Sequence, residues 1–181
     1  MNTKHTPLTL TVTHPECLVD GSDREFRTLV NGLLPFAARL LSVRDGFGSL
    51  IDLTGAQYSI IRAIATLHAL SGEVTVNQVA EYLHLSGAFI TIETGKLKML
   101  GIIDKKSHAE DRRKMCLSVT AEGDRLLDEL LPVQQRINDV LFEGVSLTEF
   151  RLLCSVIDRL VVNGDRAALD LGHLQVRRCH G

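Results

Sequence analysis

Residues 75–119 read TVNQVAEYLHLSGAFITIETGKLKMLGIIDKKSHAEDRRKMCLSV, and the spacing of apolar residues changes once along this stretch. From Thr75 to His84, Val79, Ala80 and Leu83 recur at helical intervals. Gln78 stands three residues after Thr75, a pair that can cap a first turn reciprocally. Ser86 opens a second helix that stops at Gly101, a residue suited to the left-handed conformation past a helix end. The junction His84-Leu85-Ser86 leaves room only for a sharp turn. After Gly101 the period falls from 3.6 to 2. Ile102, Ile103 and Asp104-Lys105-Lys106 form one extended piece, and Lys114 to Val119 another, with Met115, Leu117 and Val119 on one face. The polar run Ser107 to Arg113 between them suits a hairpin tip.

Helical patterns flank this segment on both sides. Ser22/Glu25, Thr54/Gln57 and Ser146/Glu149 repeat the Thr75/Gln78 punctuation, each followed by apolar residues at helical spacing. The first helix carries Phe26, Leu29, Val30, Leu33, Leu34, Ala37, Leu40 and Leu41, with Pro35 bending it and Gly46 and Gly48 ending it. The second runs from Thr54 to near Leu70, with Ile60, Ile61, Ile64 and Leu67 inward. Thr120 starts a helix carrying Leu126, Leu127, Leu130, Leu131, Val133, Ile137, Val140 and Leu141, kinked at Pro132. Ser146 starts the last, with Phe150, Leu153, Val156, Ile157, Leu160 and Val161 inward, closing near Asn163-Gly164. The predicted fold is mostly α with a small β-hairpin wing. A winged helix-turn-helix over 53–120 is flanked by a dimerisation helix at 21–52 and dimerisation helices at 121–171. Residues 1–20 and 172–181 read as a loosely held arm and tail.

Composition narrows the function. The chain has 181 residues, 45% hydrophobic and 23% charged, the mix of a folded protein. Aromatics are only 4%, with no Trp, so the core must be aliphatic. No apolar run approaches a membrane span and no secretory signal is evident, which predicts a cytoplasmic protein. Cys17, Cys116, Cys154 and Cys179 are far apart, with no Cys-x-x-Cys pair and no His at ligand spacing, so neither a metal nor another cofactor is expected. A phosphate loop, a nucleophile elbow and a paired carboxylate with a defined role are all missing, which argues against an enzyme. Net charge is −2, yet from Thr94 to Ser118 seven bases (Lys96, Lys98, Lys105, Lys106, Arg112, Arg113, Lys114) stand against three acids. A basic segment in a mildly acidic chain is an electrostatic footprint for a polyanion.

The ordered pieces resemble the MarR-type transcriptional regulators over roughly Leu53 to Leu127. They are Leu53-Thr54-x-x-Gln57, Val79-Ala80-Glu81-x-Leu83, Leu97-x-x-x-Gly101-Ile102-Ile103, Asp111-Arg112-Arg113 and Leu117-x-Val119-Thr120-x-x-Gly123. The resemblance implies a homodimer interlocked through its first and last helices and bound to a pseudo-palindromic double-stranded DNA operator. It also implies a repressor whose DNA affinity is set by a small-molecule effector. By the same resemblance Arg113 enters a minor groove with Asp111 holding its guanidinium. Charge density makes Arg112 and Lys114 phosphate contacts. The recognition helix departs from the family, which usually carries a polar reader where this chain has Ile92 and an apolar residue where it has Glu93. His108 stands where the family commonly has Asp.

Helical geometry turns Ile90, Thr94, Leu97 and Leu100 inward, and Ala88, Thr91, Ile92, Gly95 and Met99 outward. The predicted DNA contacts are Ser86, Ala88, Phe89, Thr91, Ile92 and Lys96 on the helix and Asp111 to Lys114 on the wing. With few groups able to bond base edges, specificity falls to thymine methyls, phosphate bonds from Ser86 and Thr91, and DNA shape. Glu93 is expected to pair with a nearby base or reach solvent. Arg39, Arg44, Tyr58 and His68 are candidate contacts to an anionic, aromatic effector. Two alternatives stay open: a thiol-based redox sensor, with Cys116 beside Lys114, and a winged-helix interaction protein with weakened base readout.

Overall fold

The computed structural model describes residues 9–107 and 115–178. Six helices and one hairpin follow in the order α1 (Arg24–Ser49), α2 (Gly55–Ser71), α3 (Val76–Leu83), α4 (Gly87–Met99), β1 (Ile103–Ser107), β2 (Met115–Val119), α5 (Ala121–Leu141) and α6 (Leu147–Arg178). A three-residue 3-10 turn, Pro15–Cys17, precedes them. The chain divides into two compact units at Gln134.

The first unit is built around α2. Ile60, Ile61 and Ile64 are fully buried, joined by Val74, Val79, Ile90, Leu97, Ile103 and Leu117. Each such aliphatic side chain contributes about 1.5–3 kcal/mol on burial, which suits a core made almost without aromatics. Phe47 and Tyr58, ring centroids 5.5 Å apart, join α1 to α2. Gly48 lets the two helices meet: a Cβ there would fall 2.7 Å from the Thr54 carbonyl carbon. The same turn is closed by Leu53 N–H donating to the Gly48 carbonyl at 2.9 Å.

Capping boxes open α2 at Thr54/Gln57 and α3 at Thr75/Gln78 as the spacing predicts, with side chain and backbone bonded both ways. Ser146 and Glu149 exchange the same bonds before α6. Ser22/Glu25 does not. The N-cap of α1 is Asp23, whose carboxylate is turned to the arm: Thr11 donates its amide and its hydroxyl to Oδ2, both at 2.7 Å, and Arg27 donates to Oδ1 at 2.5 Å. The arm is thus held to α1 at Thr11. Gly46 and Gly48 lie inside α1 rather than ending it, because helical φ and ψ cost glycine only about 1 kcal/mol and the α2 packing demands a small residue at 48.

His84 sits in the left-handed conformation (φ 52°, ψ 42°) at the end of α3, and Leu85 N–H donates to the Ala80 carbonyl at 3.0 Å. That closure turns the chain into Ser86, whose Oγ accepts from Phe89 N–H and starts α4. Gly101 (φ 72°) closes α4 the same way, through Ile102 N–H to the Leu97 carbonyl. The strands pair antiparallel, with Ile103 opposite Val119, Lys105 opposite Leu117 and Ser107 opposite Met115. Leu117 N–H also donates to the Val74 carbonyl at 2.7 Å, which moors the hairpin to the segment before α3. Thr120 Oγ1 donates to the Gly101 carbonyl and accepts from Gly123 N–H, so hairpin and α5 share one anchor.

In the second unit the turn after α5 brings Phe142 edge-on to Phe150, 6.0 Å between centroids. Here α6 runs unbroken to Arg178, past the predicted stop at Asn163-Gly164 and into the predicted tail. Gly164 adopts helical geometry with open space around it, so nothing local breaks the helix.

Candidate nucleic-acid interface

The inward face of α4 is Ile90, Glu93, Thr94 and Leu97, all buried. Leu100, expected among them, is 56% exposed, because it is the C-cap residue and the chain is already leaving the helix. The exposed residues of α4 are Ala88, Phe89, Thr91, Ile92, Lys96, Lys98 and Met99, while Gly95, expected among them, is half-buried. Thr91 Oγ1 donates to the Gly87 carbonyl at 2.8 Å, so its hydrogen is spent within the helix and the phosphate bond expected of it has no donor. Ser86 Oγ accepts from Phe89 N–H at 3.2 Å, which leaves its hydrogen directed away from the helix. Ala88, Ile92 and Met99 are thus exposed as the spacing predicts, with Lys96 and Lys98 on either side of them.

Charge lies beside this helix. Lys105, on the strand face shared with Leu117, is half-buried and donates to Thr94 Oγ1 at 3.0 Å. Burial and the neighbouring Lys98 push its ammonium below the usual lysine range. This bond fastens the wing to the recognition helix, a role its place in a basic run did not suggest. Lys106 pairs with Asp104 at 3.6 Å on the solvent side. Asp111, Arg112, Arg113 and Lys114, with His108, lie outside the described residues.

Glu93 finds the basic partner expected of it and, in addition, a neutral amide partner that no local pattern signals. Its Oε1 accepts from Lys96 Nζ at 2.6 Å, and its Oε2 from Gln57 Nε2 at 3.1 Å. Gln57 in turn accepts from Thr54 N–H through Oε1. A buried carboxylate thus ties the recognition helix to the cap of α2.

The four candidate effector contacts do not converge. Tyr58 is buried, which raises its hydroxyl above the usual tyrosine range against the opposing charges of Arg62 and Arg44. Arg44 donates to Ser59 Oγ at 3.1 Å, so Arg44 and Tyr58 share the α1–α2 seam. Arg39 is bonded to the Pro35 carbonyl of its own helix. His68 lines a separate cavity of about 180 Å³ with Ala65, Ser118, Val119 and Asp124. Among the described residues no cluster of three or more His, Cys, Asp or Glu could hold a metal ion. No described helix is long and apolar enough to cross a membrane.

A short helix, a left-handed turn, an exposed second helix and a moored two-stranded hairpin have the form of a winged helix-turn-helix. Residues 51–114 match the sequence model of the MarR family. The chain is similar to the transcriptional regulator HosA of Escherichia coli O157:H7, 21% identical over 110 residues that cover 61% of this chain and 78% of HosA. A MarR/EmrR family regulator from Acinetobacter sp. ADP1 superposes with a TM-score of 0.65 at 18% identity, covering 77% of this chain and 96% of its own. BpsR of Bordetella bronchiseptica, whose DNA binding is regulated by 6-hydroxynicotinic acid, superposes at 0.55 with 20% identity, covering 74% and 98%.

Proposed function

We propose that the protein is a homodimeric, cytoplasmic repressor that holds a pseudo-palindromic operator and releases it when a small anionic, aromatic molecule binds. The observation that carries the reading is an exposed recognition helix combined with uncovered apolar faces on α1 and α6. Leu29, Leu34 and Leu41 on α1, and Leu152, Leu153, Ile157 and Leu160 on α6, are all exposed in the single chain. Apolar surface on this scale calls for a partner, and a second copy would also set two recognition helices at the spacing of operator half-sites.

DNA contacts are assigned to Ser86, Ala88, Phe89, Thr91, Ile92 and Lys96 on α4 and to Asp111, Arg112, Arg113 and Lys114 on the wing. Arg44 and Arg62, the two cations that act on the Tyr58 hydroxyl at the α1–α2 seam, would meet an anionic ring, and the likeness to BpsR supports that ligand class. An effector that binds one spacing of the dimer better than another shifts the population by its differential affinity alone.

The test is an electrophoretic shift of the region upstream of the protein's own gene, titrated with aromatic carboxylates, beside sedimentation of the free protein. A dimer whose shift is abolished by one such compound is expected. A monomer, or a protein that shifts no duplex at low salt, overturns the proposal.

A further inference from the structure

Glu93 is a buried carboxylate on the helix assigned to DNA, three residues before Lys96, one of two exposed lysines on that helix. We infer that Glu93 is a positioning residue that sets how much of the Lys96 charge reaches the DNA backbone, and through it the ratio of specific to non-specific binding. The inference rests on the reading of α4 as the DNA-facing helix.

The geometry makes Glu93 a fixed acceptor. Its side chain is 9% exposed, whereas that of Lys96 is 51% exposed. One carboxylate oxygen is taken by Gln57, and Gln57 is itself locked by bonding the Thr54 amide. Thr54 lies under Gly48, where α1 and α2 pack backbone to side-chain-free backbone. The carboxylate therefore cannot swing away to release its lysine. For Lys96 to give its ammonium wholly to a phosphate, it must leave a 2.6 Å ion pair and strand a buried charge. Leaving a buried charge without its partner is strongly unfavourable, so phosphate competes for Lys96 on poor terms.

The consequence is particular to this recognition face. Phosphate attraction is blind to sequence and is the main source of non-specific affinity. Ile92, Ala88 and Met99 can offer only methyl and shape contacts, each worth little. A fully charged lysine among them would strengthen binding to every duplex alike and dilute what discrimination they supply. Glu93 mutes that lysine.

The experiment measures affinity of the full chain for a short duplex of arbitrary sequence by fluorescence anisotropy, between about 50 and 200 mM salt. Glu93→Gln keeps an acceptor for Gln57 and removes the charge; Glu93→Leu removes both. Each is made alone and with Lys96→Ala. Both single variants are expected to steepen the salt dependence of log K by about 0.9 per protomer, so that the affinity gain over wild type is roughly three-fold larger per protomer at the low-salt end. Lys96→Ala should cost these variants more slope than it costs wild type, cancelling the gain. An unchanged slope in a folded Glu93 variant overturns the inference, because a merely structural Glu93 would lower Tm and leave the slope alone. A steepening that survives Lys96→Ala also overturns it, as a general charge effect. If neither wild type nor variants bind any duplex, the DNA reading of α4 fails and takes this inference with it.

Discussion

Two glycines two residues apart in α1 should respond to alanine with opposite signs. Gly46 is exposed, and a Cβ there meets nothing within 4 Å. Gly46→Ala should therefore show only the intrinsic gain of alanine over glycine in a helix, about 0.5–1 kcal/mol. Gly48 would place the same methyl 2.7 Å from the Thr54 carbonyl carbon and oxygen and 2.8 Å from the Leu53 oxygen. These are backbone atoms of the turn that starts α2, fixed by the Leu53 and Ile51 amides on the Gly48 carbonyl. They cannot rotate away as a side chain would, so α1 and α2 must separate, and overpacking of that kind costs about 1–3 kcal/mol.

The propensity gain offsets part of that cost, and the net effect stays destabilising. At about 2–4 °C per kcal/mol for a chain of this size, the two variants should melt several degrees apart on either side of wild type. The assay is circular dichroism melting at one fixed protomer concentration, since association would shift Tm by mass action. A Gly48→Ala protein that melts with or above Gly46→Ala would refute the close approach of α1 to the Thr54 turn. It would also loosen the basis for Gln57 as a fixed partner of Glu93.

Asp23 should give the arm an acid-sensitive anchor. The Thr11 amide and hydroxyl, then Arg27, favour its ionised form over the opposing effect of burial, and its carboxyl lies below the usual aspartate range. A depressed folded pKa means the contribution is present above the unfolded value of about 3.9 and is lost as pH falls below it. Wild type should thus lose more stability than Asp23→Asn on acidification from pH 5 downwards, and parallel acid profiles would contradict the clamp. On DNA, Arg113→Ala should weaken binding by about 1–3 kcal/mol, the scale of a lost groove contact, and an unchanged titration would remove the wing from the interface. Replacing operator thymines by uracil deletes only the C5 methyl. Binding should weaken at one or two positions facing Ile92 or Ala88, and Ile92→Ala should then become indifferent to the swap, with the salt dependence unaltered in both. A wild-type protein that is sequence-specific yet blind to every such swap would exclude methyl readout.

Much of the architecture was legible in local signals. The Thr54, Thr75 and Ser146 caps act through bonds within four residues of themselves, so the helices they open were readable from spacing alone. The shift from a period of 3.6 to 2 after Gly101 marked the hairpin, because burial on one face imposes a different repeat on each backbone geometry. The exposure of Ala88, Ile92 and Met99 on α4 followed from the same periodicity.

What the sequence by itself left open was settled by contacts between distant segments. Asp23 stands at the N-cap of α1 yet gives its carboxylate to Thr11, twelve residues earlier, and not to the first turn. Glu93 is buried because Gln57, 36 residues away, meets it with an amide, and no local pattern encodes that pairing. Gly48 lies inside a helix because α2 comes too close for a Cβ, while Gly164 does so because nothing there objects. Arg39 and His68 parted from Arg44 and Tyr58 for the same reason: residue type says what a side chain can bind, but only packing decides which side chains share a space. Local hydrogen bonding and periodicity are written within a few residues of chain. The pairing of buried polar groups depends on three-dimensional proximity, which arises only when the helices pack.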